Sequence, residues 1–240
     1  MSLSATGPMP ITTPPTASRP TAPRRLARGI GVLYLLLTGL AMVGPLTIQS
    51  LTVVGDPSAT AANVAASSGR FALALAAWVA IVVVDVVIAL GLYVLLRHVG
   101  KGLSMLAAGF RILYSVVMAG LMVNLFEAGH LLLADSPTSA DMDRAQAALE
   151  TFGTGFLVAL VFFSVHLVLV GALFLRTSYL PRLLSLFVVL AGAGYMIDSL
   201  AKLTVDSYGG VLAAVVLTPA MIGEVGLALW LTIRGVSRRA

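Results

Sequence analysis

The chain has 240 residues, of which 59% are hydrophobic and only 10% charged, with a net charge of +5. So much apolar side chain exceeds what one soluble core of this length can hide under a polar surface, so lipid must be its second solvent. It has no cysteine, which excludes disulfides, thiolate metal sites and cysteine nucleophiles. Its basic residues are dispersed at the edges of apolar runs rather than gathered into a stripe interleaved with aromatics, which argues against nucleic acid as a partner.

In chain order, residues 1–23 come first, with six prolines and few large apolar side chains. Such a segment buries too little surface to offset its ordering entropy and is expected to be a disordered cytoplasmic tail. It does not read as a secretory signal, because Arg24, Arg25 and Arg28 follow it and no small-residue cleavage site closes the next apolar run. Residues 24–240 form the expected transmembrane domain. Six apolar runs lie within it, at 29–53, 71–96, 103–133, 153–176, 182–204 and 210–233. Each exceeds the roughly 20 residues that a helix needs to cross about 30 Å of hydrocarbon. Their length and lack of strict alternation predict helices, so the fold class is all-α, polytopic, with six spans. Between the first two runs, Gly-Asp-Pro opens a small-residue stretch with helical leanings. The acidic stretch 135–150 predicts a short surface helix after Ser139.

Lysine and arginine set the orientation. Arg19, Arg24, Arg25, Arg28, Arg97, Lys101, Arg176, Arg182, Arg234, Arg238 and Arg239 fall on one side, against Arg70, Arg144 and Lys202 on the other. The positive-inside bias predicts both termini in the cytoplasm, with short cytoplasmic turns closing the second–third and fourth–fifth hairpins.

Several stretches resemble, in order, the bacterial membrane family described as domain of unknown function 4386. They are RRLARGIGVLYLLL, GDPSATAANVAASSGRF, DVVIALGLYVLLR, MLAAGFRILY, LPRLLSLFVVLAGAGYMIDSL and GEVGLALWL. The resemblance covers residues 24 to 236. It implies a six-helix integral protein of the bacterial cytoplasmic membrane and carries no activity with it.

A charge near the bilayer middle costs about 2.5–3.5 kcal/mol on insertion scales, so each one needs a partner, a proton or a cavity. Counting from the nearest flanking cation at about 1.5 Å per residue puts Asp85 about 18 Å deep. The same count puts Arg111, His166 and Glu224 about 15 Å deep, on three other helices. Arg111 can grip one carboxylate in a fork or bridge both. One negative charge is then left over, and a protonated carboxyl is the simplest way to close the count, since burial favours neutral forms. This layer is the candidate substrate or proton site, and its bland alternative is a purely structural lock between helices. Pro219, Gly223 and Gly226 around Glu224 fit an interrupted binding-site helix, or equally a kink and close packing; at Pro45 the kink is favoured.

Further out, Asp198 and Lys202 are four apart and share a helix face with Tyr195 and Ser199. Asn124 and Glu127 precede His130 in a Glu-x-x-His spacing that supplies ligands in di-iron bundles. A single such pair at a helix end reads first as a wet terminus, and no metal is expected. The histidines lie at different depths, which argues against a bis-histidine haem, and no cofactor is expected. The hairpins 85–115 and 166–196 share LSML/LSLF and a tyrosine at an offset of 81 residues, compatible with a parallel repeat.

No Walker loop, Gly-x-Ser-x-Gly or His-Glu-x-x-His is present, so hydrolase or nucleotide-driven pump activity has no support in motif. Three functions stay open. The first is a small proton- or ion-linked transporter with a small-molecule or ion ligand. The second is an accessory or sensor subunit with a structural ionic layer. The third is an intramembrane enzyme acting on a lipid or quinone. They differ in whether water, nothing or lipid reaches the layer.

Overall fold

The computed structural model describes residues 22–236. The proline-rich tail lies outside the described residues, except for its last two positions, which open the first helix. Seven helices follow: α1 (Ala22–Leu51), α2 (Pro57–Ala66), α3 (Ser68–Leu96), α4 (Lys101–Leu132), α5 (Ser139–Leu175), α6 (Arg182–Thr204) and α7 (Gly210–Ile233). Among the described residues there is no strand. All but α2 are long and apolar enough to cross a bilayer, so the molecule is a multi-pass membrane protein.

The ends of these helices have local causes. Asp56 caps α2, its carboxylate accepting from the Ala59 N–H at 2.8 Å, with Pro57 in the first turn, where its missing N–H costs nothing. Thr138 and Asp141 form a reciprocal capping box at the start of α5. The sequence predicts a separate surface helix after Ser139 and a new span near residue 153. Instead α5 runs unbroken for 37 residues, about 55 Å against about 30 Å of hydrocarbon. Nothing breaks it, because no proline intervenes and Gly155 serves packing: the Leu121 side chain of α4 fills the space a Cβ would need. At the far end of the chain, Gly235 adopts φ +63° and donates to the Leu231 carbonyl at 3.0 Å, stopping α7. A Cβ there would stand 2.9 Å from Cγ of Arg24, so α7 ends tightly against the beginning of α1.

The six long helices form a ring in chain order: α1 on α3, α3 on α4, α4 on α5, α5 on α6, α6 on α7, and α7 back on α1, while α2 lies mainly against α5. Their outer faces expose Val83, Val87, Leu90, Val116 and Val123, as lipid-facing surfaces do. At the arginine-rich end, the two short turns touch through Tyr179 and His98, 2.9 Å apart and 81 residues distant in sequence. Pro45 and Pro219 both sit inside continuous helices.

Candidate functional site

Arg111, on α4, is fully buried and reaches into the middle of the ring. Its Nε donates to Oδ1 of Asp85 on α3 at 2.8 Å, and its Nη2 pairs with the same oxygen. Nη1 donates to the hydroxyl of Tyr34 on α1 at 2.7 Å and lies 3.2 Å from Nε2 of His166 on α5. The rings of Tyr34 and Phe163 flank the buried guanidinium at 4.9 and 5.2 Å, adding cation–π attraction.

This geometry fixes the protonation of His166. A guanidinium only donates, so Nε2 must accept. The Ala107 carbonyl, 2.8 Å from Nδ1, only accepts, so Nδ1 carries the proton. The imidazole is neutral and both its nitrogens are occupied, which leaves none to ligate a metal or haem. Asp85 and Arg111 cancel each other's charge, and the cluster is paired and buried, with Asp85 1% and His166 0% exposed.

Glu224 stands apart from that cluster. Arg111 grips Asp85 alone, so the second carboxyl of the expected layer has no cation: no ion pair of Glu224 occurs among the described residues, and its buried Oε1 has no hydrogen-bond partner. It lines a cavity of about 320 Å³ between α1, α6 and α7, shared with Tyr34, Thr38, Tyr195 and Met221. Met221 is 70% exposed on the outer face of α7, so the rim of the cavity reaches the outer surface of the ring beside α1. Gly223 and Gly226 belong to packing: a Cβ on either would come within 2.7 Å of Phe187 or Leu184 of α6. They hold α7 close to α6 and leave Glu224 at the cavity edge.

The outer group does not form one site. Tyr195 departs from it: rather than joining Asp198 and Lys202, it lines the Glu224 cavity and packs its ring 5.9 Å from Phe163. Asp198 and Lys202 pair at 2.9 Å, Asp198 being buried with its Oδ1 unpartnered. Asn124 bonds its own helix at the Leu121 carbonyl. Glu127 meets Arg144 at 3.3 Å on the exposed surface, and His130 is exposed beside it. Glu127 and His130 thus sit at a solvated helix end.

Sequence reasoning missed Tyr34 and Phe163. Tyr34 matters most, because it touches Arg111 on one side and borders the Glu224 cavity on the other. Its signal was faint: an uncharged hydroxyl in the apolar run of α1, six residues after Arg28 and so only about 9 Å deep by the same count, short of the charged layer.

The family described as domain of unknown function DUF4386 matches residues 30–235. An uncharacterised protein of Archaeoglobus fulgidus is 29% identical over 155 residues, covering 65% of this chain and 79% of its own length. No solved structure matches.

Proposed function

The chain belongs to the DUF4386 family, and from that footing we propose that it is a small proton-linked exchanger that takes lipophilic cations from the bilayer at Glu224. The observation that carries this reading is the unpartnered Oε1 of Glu224 at the edge of a cavity facing lipid, with Arg111 already spent on Asp85. An ionised carboxylate in that place has no counter-charge, and burying it alone is prohibitive. Glu224 therefore holds a proton while the cavity is empty. A cation entering between α1 and α7 supplies the missing charge, comes against the aromatic side chains of Tyr34 and Tyr195 that line the cavity, and displaces the proton. Charge inside the bundle is unchanged by the swap, which is what makes the exchange affordable in hydrocarbon. The Asp85–Arg111–His166 cluster serves as the rigid wall behind the site. The arginine bias supports an inward-facing arginine-rich end, and the family resemblance supports a cytoplasmic membrane of bacteria, although the relative above is archaeal.

The test is calorimetric binding of tetraphenylphosphonium to purified protein in neutral detergent across a pH series. Affinity rises about tenfold per pH unit while Glu224 still holds its proton, with about one proton released per cation. Glu224→Gln abolishes binding, and Glu127→Gln leaves it intact. Binding that ignores pH, or that survives Glu224→Gln, overturns the exchanger and turns attention to a neutral lipid or quinone in the same cavity.

A further inference from the structure

At the arginine-rich end lies a second cavity, of about 800 Å³, that the exchange site does not use. Four arginines converge on it from three separate segments: Arg24 at the start of α1, Arg176 and Arg182 on either side of the α5–α6 turn, and Arg234 at the end of α7. All four are exposed, and none is in an ion pair among the described residues. Nor can a nearby acid side chain neutralise them. Of the ten acids in the chain, Asp85 and Glu224 lie deep in the spans, and the other eight belong to the opposite end: Asp56, Glu127, Asp135, Asp141, Asp143, Glu150, Asp198 and Asp206. Positive-inside bias explains arginines at this end, but it does not explain their meeting around one hollow.

The walls suit an anion as well. α6 begins in this cavity at Arg182, and no side chain caps its first turn, so the positive end of a 23-residue helix faces a hollow already rich in cations. The negative ends of α5 and α7 also reach this hollow; that of α7 is partly covered, since Arg28 donates to the Ile233 carbonyl at 3.2 Å, and the arginines themselves offset both. Trp230 forms one side, its indole N–H held by the Tyr179 carbonyl at 3.0 Å and its face under the Arg234 guanidinium at 5.4 Å. An indole fixed at the end of a span, beside arginines, marks the level of lipid headgroups.

We infer that this hollow is a binding site for a phosphate group, held in the forks of Arg176, Arg182, Arg234 and Arg24. Guanidinium forks match phosphate oxygens in pairs, and basic pockets between spans at this level take anionic headgroups. The same chemistry serves an anionic phospholipid or free phosphate, and the experiment separates them.

Protein purified in neutral detergent is titrated with phosphatidylglycerol, phosphatidylcholine or inorganic phosphate, and adducts are counted by native mass spectrometry. Phosphatidylglycerol is retained at about tenfold lower concentration than phosphatidylcholine. Arg176→Gln/Arg234→Gln erases that preference, Arg176→Lys/Arg234→Lys keeps part of it, and Arg70→Gln/Arg144→Gln at the opposite end keeps all of it. If millimolar phosphate displaces the lipid, free phosphate is the occupant and the site stands; if it does not, the lipid headgroup is. Should the double glutamine variant fail to fold, Arg182→Gln alone reads the same preference. Equal retention of both lipids by the unaltered protein, or a preference that survives the glutamine variants, overturns the site.

Discussion

Asp85 and Glu224 are both carboxylic acids on spanning helices, placed at nearly the same depth by their distance from the flanking arginines. Their surroundings differ completely. Asp85 lies inside the ring, locked to Arg111, whose Nη1 is turned to Tyr34 and His166. Glu224 lies at the seam between α1 and α7, with an oxygen that bonds to nothing. Depth sets the cost of a charge in lipid, but the direction a side chain faces decides whether that cost is met by a fixed partner or left for a visitor. One acid is built into the scaffold and the other is left available.

The largest effect expected from this contrast is on the locked side. Arg111→Ala strands Asp85 without its cation and destabilises the fold by about 3–5 kcal/mol. Pairing it with Asp85→Asn recovers a good part of that loss, read as thermal midpoints in detergent. A double variant no better folded than the worse single one would break the pairing account. A smaller effect is expected at the wall between the two regions. Tyr34→Phe removes the acceptor of Arg111 Nη1 and costs about 1.5–3 kcal/mol, with a lower melting midpoint and weakened cation binding in the same variant. The smallest is on the open side: Glu224→Gln shifts stability by no more than about 0.5 kcal/mol, because no ion pair is lost. A large destabilisation there would mean that Glu224 is structural after all, and the two acids would cease to differ in kind.

Much of the envelope is legible in the residues alone, since a run of more than 20 apolar side chains has few fates. Counting from flanking cations also brings Asp85, Arg111 and His166 to one level, and their side chains do meet. Rotation about each helix is what counting cannot supply. Glu224 shares that level but faces the α1–α7 seam, because Gly223 and Gly226 turn α7's smooth side to α6. Tyr195 escapes its sequence neighbours Asp198 and Lys202 by depth instead: it sits three residues before Asp198, nearly a full turn deeper, where the ring of Phe163 receives it. Tyr34 was invisible to a search for charge, since an uncharged phenol in an apolar run carries no penalty that demands explanation. The length of α5 was obscured by the acidic stretch 135–150, which reads as a surface helix of its own, while Gly155 inside the join acts as a contact with Leu121 rather than as a break.

The chain-order ring also bears on how the protein is made. Each spanning helix leaving the translocon finds its immediate predecessor already in the bilayer, so five of the six seams can zip in sequence as synthesis proceeds. Only the sixth, α7 to α1, joins the first and last of the spanning helices, and it must wait until α7 itself has been made. The cavity beside Glu224 lies along that last-closed seam, so the joint assembled latest is also the one that the proposed exchange would use as its entrance.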